Sequence, residues 1–422
     1  STISANGSLH RTFDPNGINF YDLHFEALKI IDENQTFKGI IEYSDHKRKD
    51  VYSAIQTQVY GSQPFMLFDS TNGNLDFYGP KLAFEYSILL VKDLALGVNF
   101  FYAGEKGIKN VYTKPEITNR YISGQLSLAY NLSEELAIGA KLDPFYNYEK
   151  IDMAKDPDTG SDPITYKYRG FKIIRKSPED FTRYNKNKGF NIELQSHLRS
   201  LDSALSLYIS AGYAKQSINC EDGTIEAKYE GYWQEDGFSG SLFARYSPEF
   251  ISKNLTFGFG FDFRNMSSWS KHPLLPIVFS ENQWKRSEIS VGVSYEFKET
   301  GLIVGAEYYK TNCDTTLDDY LGNYYFDASN PRSDIRLGAE LKVTDNFRLR
   351  AGFNYFTYDP DKILNEIKYN QNLYTFGASY LIENLVKLDL LINYGKKDSK
   401  DMPINLTYKE TGAVLFAKFY VF

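Results

Sequence analysis

The residues most capable of chemistry in this sequence are two histidines set among carboxylates and a serine. His24 stands between Asp22 and Glu26, and Ser44 and His46 belong to the next segment. A histidine held by a carboxylate beside a hydroxyl is the arrangement that activates a nucleophile for hydrolysis. The interpretation that we favour is a chain of mutually paired polar groups, because buried polar groups are normally hydrogen-bonded. We therefore predict no enzyme and no catalytic residue.

Metal binding is a second chemistry, and the sequence supports it only in part. Asp156, Asp158 and Asp162 surround a turn of Pro and Gly that is typical of part of a calcium loop. A complete loop carries Glu at its twelfth position, and here that position is Lys167. The five histidines show no HExxH spacing. A solvated turn is the favoured interpretation, and no metal or cofactor is predicted.

The elements that must position these residues are strands. Apolar and polar residues alternate strictly along the whole chain, for example at Leu94, Leu96, Val98, Phe100 and Tyr102. A helix would need apolar residues at spacings of three and four, so the period of two predicts strands. No run approaches the ~18 consecutive apolar residues of a membrane-spanning helix. We expect an all-β protein.

The connectors fall into two length classes. Short ones such as DENQ (32–35) and VKD (91–93) alternate with long polar ones at 45–75, 150–184, 265–282 and 312–331. This regular division is typical of a transmembrane antiparallel up-and-down β-barrel, whose tight turns face the periplasm and whose long loops face outward. We therefore expect residues 1–422 to form one outer-membrane barrel domain with those four long extracellular loops.

The turns also predict the number of strands. Eight short turns imply eight hairpins, and a last strand follows residue 405. The first hairpin begins by descending, so an ascending strand must precede it, and residues 2–13 are the candidate. This gives 18 strands with both termini in the periplasm. The alternative is 16 strands, with 2–13 as a tail.

The alternation also assigns side chains to the two faces of the wall. Mid-strand apolar residues are expected to face lipid: Leu194, Phe259, Val291, Leu337 and Leu388. Polar residues of the opposite parity are expected to face the lumen: Asp22, His24, Glu26, Glu193, His197, Asp262, Arg264, Asp334, Arg336, Glu340, Arg348, Arg350, Lys387 and Asp389. Because both signs of charge are present, no selectivity by net lumen charge is indicated.

The C-terminal strand resembles the signature by which the barrel assembly machinery recognises outer-membrane proteins. Phe416, Tyr420 and the terminal Phe422 share one parity. Lys418 departs from the pattern on that same parity. It either snorkels at the periplasmic rim, or the opposite parity with Leu415, Phe419 and Val421 faces lipid.

Composition limits the partners. The net charge of −7 argues against nucleic acid, which usually requires a basic face. Cys220 and Cys313 are predicted at the external rim about four strands apart, some 19 Å at ~4.8 Å per strand. A disulfide needs Cα atoms within about 7 Å, so we expect both to remain thiols.

Three segments carry a family resemblance: FKGIIEYSDHKRKDVYSA, QPFMLFDSTNG and LAFEYSILLVKDLALGVNFFYAG. They resemble an uncharacterised outer-membrane β-barrel family, a domain of unknown function of Bacteroidetes-type Gram-negative bacteria. The resemblance covers about the first third of the chain. It implies the barrel fold and the outer-membrane location, with lipids and lipopolysaccharide as surroundings, and it brings no catalytic residue.

Two functions follow as expectations. The first is a constricted channel, or a channel subunit, for small solutes, since 16 to 18 strands enclose a lumen wide enough for water. Long loops 45–75 and 150–184 are rich in apolar residues, so at least one should fold inward. If the second loop enters, the inner wall supplies partners for Lys167, Arg169 and Lys172. The alternative is a plugged structural barrel whose loops dock a surface lipoprotein or a TonB-dependent transporter.

Overall fold

The computed structural model describes residues 2–7, 13–57, 63–112, 114–153, 164–177, 181–200, 204–223, 228–248, 251–252, 254–272, 274–358, 369–383, 386–400 and 406–419. The first ten strands are β1 (Thr2–Gly7), β2 (Gly17–Asp32), β3 (Gln35–Ala54), β4 (Leu67–Val91), β5 (Leu94–Lys109), β6 (Glu116–Asn131), β7 (Leu136–Met153), β8 (Thr165–Arg169), β9 (Ile173–Ser177) and β10 (Phe181–Arg199). The others are β11 (Leu205–Gly223), β12 (Lys228–Tyr246), β13 (Leu255–Lys271), β14 (Val278–Phe297), β15 (Leu302–Asp319), β16 (Tyr324–Lys342), β17 (Phe347–Tyr358), β18 (Tyr369–Ile382), β19 (Val386–Ser399) and β20 (Thr407–Phe419).

Eighteen of the twenty strands form one closed antiparallel wall. Each wall strand pairs with the next along the chain; β7 pairs directly with β10, and β1 closes the barrel by pairing with both β2 and β20. Strands β8 and β9 form a separate hairpin. The prediction of 18 strands is therefore confirmed, and the 16-strand alternative is wrong. Among the described residues, no helix is long and apolar enough to span a membrane.

The closing strand is short. The sequence predicts a strand over residues 2–13, and β1 occupies Thr2–Gly7 of that range. Thr2 lies opposite Asn19 of β2 and Ala413 of β20. Beyond these points, residues 20–32 of β2 and 414–419 of β20 pair on one side only, within the part of the chain that the structure describes.

The barrel has two different ends. At the turn end, connections as short as residues 33–34 and 92–93 join the strands, and the loop end has the longest connections, such as residues 55–66. Many strands have 16 to 20 residues, whereas crossing a bilayer takes about 10. Each long strand therefore continues well past its outward apolar belt towards the loop end.

This continuation shortens the predicted long loops. Strand β3 extends to Ala54 inside the range 45–75, and β7 and β10 occupy both ends of 150–184. Likewise, β13 and β14 leave only residues 272–277 of the loop 265–282, and β15 and β16 leave only 320–323 of 312–331. In these extensions apolar and polar residues no longer alternate, because both faces of each strand meet polar surroundings. The sequence therefore predicts a loop where the backbone is still paired in strands.

Strand register separates the two faces. Phe259 lies opposite Val291, and Val291 lies opposite Tyr308, so apolar residues form continuous rows on the outer face. Leu194 and Leu337 are exposed in similar rows, and Leu388 is half-exposed. The other parity forms the inner face, where polar side chains meet.

Register also resolves the parity of the C-terminal strand. Leu415 lies opposite Leu390 and Phe419 opposite Val386, which places both on the apolar outer face. Phe416 lies opposite Asp389 and Lys418 opposite Lys387, so these two share the polar inner parity. The alternative in which Leu415 and Phe419 face outward is the observed one. Tyr420 and Phe422 lie outside the described residues.

Candidate functional site

The two histidines and their carboxylates form part of an ion-pair network on the inner wall. His46 Nε2 is 3.2 Å from Asp22, and His24 Nδ1 is 3.4 Å from Glu42. The Ser44 hydroxyl donates to Glu42 at 2.9 Å. Because the serine is bonded to a carboxylate, its oxygen is not aligned with a histidine as nucleophilic catalysis would require.

The network continues along the neighbouring strands. His24 Nε2 lies 3.5 Å from Glu26, Lys38 Nζ also lies 3.5 Å from Glu26, and Lys81 donates to Glu42 at 2.7 Å. Sequence reasoning singled out Asp22, His24 and Glu26, but it missed the two lysines. Their signal was present, since both lie on the inner parity of β3 and β4. These pairs are all partly exposed, as expected for a wet inner wall.

The remaining polar residues predicted for the lumen are mostly paired in the same way. Glu193 contacts Lys141 at 3.2 Å, His197 Nε2 contacts the Ser206 hydroxyl at 2.9 Å, and Lys387 contacts Asp389 at 2.9 Å. Further inner-wall contacts join Arg348 and Arg350 to Glu340, and Arg336 to Asp334. Asp262 and Arg264 lie opposite Glu288 and Arg286.

Two segments lie across the loop end of the lumen, and together we call them the cap: residues 51–57 with 63–69, and the hairpin 164–177. The two segments join each other through sheet pairing, with Leu67 opposite Lys167 and Phe68 opposite Tyr166. The Tyr168 amide also donates to the Met66 carbonyl at 2.9 Å. The hairpin turns at Gly170, whose φ of 76° favours glycine and which lies against the Asp319 carboxylate.

A buried guanidinium fixes the cap to one side of the barrel. Arg183 of β10 donates to both carboxylate oxygens of Asp222 at 2.7 and 2.8 Å and to the Phe65 carbonyl of the cap at 3.0 Å. Lys167 of the hairpin also contacts Asp222, at 2.8 Å. Burial alone would raise the pKa of Asp222, but the two cations hold it below its usual value. Sequence reasoning missed Arg183 and Asp222.

The hairpin also reaches the other side of the barrel. Arg169 contacts Glu230 at 2.7 Å, and the Phe171 amide donates to Asp319 at 2.7 Å. The Lys172 ammonium lies 4.3 Å from the centre of the Tyr324 ring. The three basic residues that the sequence singled out, Lys167, Arg169 and Lys172, thus contact β11, β12 and β16 respectively.

A second buried ion pair anchors the other cap segment. Lys109 Nζ lies 2.8 Å from Asp69, and both side chains are 0% exposed. Lys109 stands beyond the outward apolar belt of β5, which ends near Tyr102. Burial lowers the pKa of Lys109, and Asp69 partly offsets that effect. Thr71 also donates its hydroxyl to Asp69, at 2.6 Å.

Apolar packing completes the cap in two clusters. The larger cluster joins Val51, Ala54, Ile55, Leu67, Leu75, Phe77, Ile117, Ile151 and Met153. The smaller one joins Phe65, Cys220, Trp233 and Phe279. Here the Phe65 ring rests directly on Gly231, where any side chain would overlap it. Neither cysteine forms a disulfide, and burial raises the pKa of the Cys220 thiol to about 12.

Below the cap, the turn-end half of the lumen keeps an open cavity of about 620 Å³ against β12–β19. Its floor is made of wall glycines that face one another across strands, with Gly258 opposite Gly292 and Gly305 opposite Gly338. A Cβ added at Gly258 or Gly338 would meet nothing within 4 Å. Charged lining residues are Arg245, Glu307, Arg336, Glu340 and Arg350. No group of three or more His, Cys, Asp or Glu that would hold a metal occurs in the described ranges.

The fold is therefore a closed 18-stranded antiparallel β-barrel with an internally capped lumen. Residues 2–259 match a family of unknown function, DUF6850, and the chain belongs to that family. No curated protein matches the chain in sequence.

Several solved structures are similar to this chain. The siderophore receptor PiuA from Acinetobacter baumannii is 9% identical with a TM-score of 0.49, covering 98% of this chain and 81% of that one. A Pseudomonas aeruginosa FadL homologue is 13% identical with a TM-score of 0.37, covering 92% and 90%. The monoaromatic hydrocarbon channel CymD is 14% identical with a TM-score of 0.34, covering 92% and 89%.

Proposed function

We propose that the protein is a constricted channel for small solutes in the outer membrane of a Gram-negative bacterium of the Bacteroidetes type. Its turn end and both termini face the periplasm, and its loop end faces outward. In this proposal lipid and lipopolysaccharide surround the wall, and the barrel assembly machinery inserts it. The narrow part of the pathway is the cap.

The observation that supports this proposal is the contrast between the cap and the cavity beneath it. A barrel with a purely structural role gains stability from a filled interior, because close packing maximises contacts. Here the inner-wall charges of the turn-end half remain in water, with Arg350 44% exposed and Asp389 26% exposed. An open aqueous space below a cap that lies across the lumen suits restricted passage.

The direct test is single-channel conductance of the purified barrel in a planar bilayer. We expect small conductance for the intact protein and a several-fold increase when residues 164–177 are replaced by a short Gly-Ser linker. As a matched control, replacing residues 274–277, which lie at the same end but outside the cap, should leave conductance unchanged. Large porin-like conductance in the intact protein would overturn the constriction.

A second candidate function has its own supporting observation. An exposed apolar tip between β13 and β14 holds Leu274, Leu275 and Ile277, with the exposed Tyr320 and Tyr325 at the same end of the barrel. Leu274 is 82% exposed. Isolated exposed apolar residues are ordinary, but a contiguous apolar patch at a loop tip suits protein contact. In this reading the barrel docks a surface lipoprotein or a TonB-dependent transporter.

Conductance again separates the two functions. Absence of conductance both in the intact protein and after removal of 164–177 would overturn the channel and favour docking. Serine at Leu274, Leu275 and Ile277 should then abolish co-purification of the partner from native membranes. If the protein is a channel, the same triple variant conducts as the original does.

A further inference from the structure

The turn-end cavity has more cationic than anionic groups on its lining, although the whole chain is acidic at −7. Arg245, Arg336 and Arg350 line it, against Glu307 and Glu340. Glu340 already accepts from two guanidiniums, with Arg350 Nε at 2.6 Å and Arg348 Nη1 at 2.9 Å. The two carboxylates of the lining are therefore outnumbered by its three arginines.

The charge of Arg336 is only weakly compensated by its contacts in the wall. Its guanidinium stacks on the Tyr309 ring with the carbon 4.0 Å from the ring centre. Its ion contact to Asp334 is 3.5 Å long, and Asp334 is already bound by both ends of the Arg332 fork at 2.6 and 2.7 Å. The Arg336 Nε is buried and has no hydrogen-bond partner among the described residues. The Arg336 side chain is 43% exposed, so the exposed edge of its guanidinium can donate to an anion in the cavity.

The surface beside Arg336 is flat and partly apolar. Gly338 follows on the same inner face of β16, with Gly305 and Gly352 opposite it on the two neighbouring strands. The apolar side chains of Phe243, Ile303 and Leu391 line the same cavity, and Phe243 is 53% exposed. The absence of side chains at Gly305 and Gly338 leaves room for the flat body of a ligand.

We propose that this cavity binds a small organic anion, with its carboxylate on the guanidinium of Arg336 and its flat or apolar body over the glycine floor. This inference rests on the proposed channel function and names the class of solute that the channel passes. A volume of about 620 Å³ lies within the ordinary range of small-molecule sites. The mixed signs of the whole inner wall do not oppose the proposal, because recognition is local to Arg336.

The test measures binding of 4-fluorobenzoate to the purified barrel in detergent. Broadening of the fluorine NMR line of the ligand reports binding, so the test does not depend on the protein conducting. The neutral 4-fluorobenzamide should bind at least tenfold more weakly. Arg336→Gln should weaken 4-fluorobenzoate binding at least tenfold. The matched control is Arg286→Gln, which removes an inner-wall arginine that is paired with Glu288 and lies outside the cavity; it should leave binding unchanged.

A second variant tests the floor. Gly338→Leu places a side chain in open space, so the barrel should still fold and show heat modifiability on gels. The leucine occupies the position proposed for the body of the anion, so 4-fluorobenzoate binding should fall several-fold. Equal binding of acid and amide, or unchanged binding in Arg336→Gln, would overturn the site. If inorganic phosphate displaces 4-fluorobenzoate as effectively as unlabelled benzoate displaces it, the organic body of the ligand has no role in binding. Conductance without binding would leave the channel standing and remove only its solute class.

Discussion

The loop-end and turn-end halves of the lumen use the same kinds of residue in opposite ways. In the loop-end half, the Asp69–Lys109 pair is 0% exposed and the Arg183–Asp222 pair is nearly so. In the turn-end half, pairs such as Lys387–Asp389 and Arg350–Glu340 remain partly in water. One half is packed around its charges, and the other surrounds an open cavity.

The difference shows that ion pairs have two distinct roles in one barrel. A buried pair fixes geometry, because breaking it leaves a desolvated charge that is expensive to keep. An exposed pair contributes little to stability but keeps a lumen hydrated. Enclosure by the cap gives Lys109 and Arg183 the first role, and the open cavity gives Lys387 and Arg350 the second.

The largest expected effect comes from breaking a buried pair in the cap. Lys109→Met leaves the Asp69 carboxylate without its ammonium partner in a dry site, so the free energy of unfolding should fall by about 3–5 kcal/mol. Lys387→Met in the turn-end half is the matched control and should cost about 0–1 kcal/mol. Urea unfolding in lipid vesicles measures both. Equal costs would remove the distinction between the two halves.

The next effect tests which half lies in the bilayer. Val291→Arg puts a charge on the outer face of the turn-end half and should cost about 2–4 kcal/mol at midplane depth. Gln283→Arg puts the same charge on the outer face of the same strand nearer the loop end, and we expect almost no cost. The same unfolding experiment applies. A larger cost at Gln283 would place the bilayer at the wrong end of the strands.

Acid should loosen the cap at the ion pairs that Asp222 forms with Arg183 and Lys167. The folded protein holds the pKa of Asp222 below its usual value. Its stabilisation is therefore complete above the ordinary carboxyl pKa of about 3.9 and is lost as pH falls through the lower folded value. Hydrogen exchange of residues 63–69 and 164–177 should accelerate over that interval. Asp222→Asn, which cannot titrate, should exchange faster already at pH 7 and show a smaller change with acid.

The last prediction concerns the reactivity of the two thiols, and it involves the smallest change in stability. Cys220 is buried under Phe65 and its pKa is raised to about 12, whereas Cys313 is partly exposed on the inner wall. Because the thiolate is the reactive form, a small maleimide should modify Cys313 and spare Cys220, as read by mass spectrometry. Replacing residues 164–177 should expose Cys220 to the reagent. Modification of Cys220 in the intact protein would show that the cap is open.

The strands of the barrel wall can be predicted from the sequence, whereas the structure of the cap cannot. Alternation at period two predicts strands and their outward residues, because one face of each strand meets an apolar surrounding. The extension of β3 as far as Ala54 is hidden, since HKRKD from residue 46 to 50 carries no apolar parity. The parity of Phe416 is also hidden, because both parities of the last strand are aromatic and only the register with β19 distinguishes them.

The contacts of the candidate site are harder still to predict. Asp69 and Lys109 are 40 residues apart, and Arg183 and Asp222 are 39 apart. Each pair becomes recognisable only when strand register and the path of the cap are known. Lys167, Arg169 and Lys172 stood out as a basic run, but their acidic and aromatic partners are scattered over three strands.

The bond from the Phe171 amide to Asp319 has a consequence for the order in which the chain folds. Its two residues are 148 positions apart, and closing a loop of that length has a large entropy cost that a single contact cannot offset. The hairpin can therefore settle against β15 only after the intervening strands have paired. Docking of this hairpin is a late event that reports completion of most of the wall, and a reporter at residue 171 would time the end of assembly.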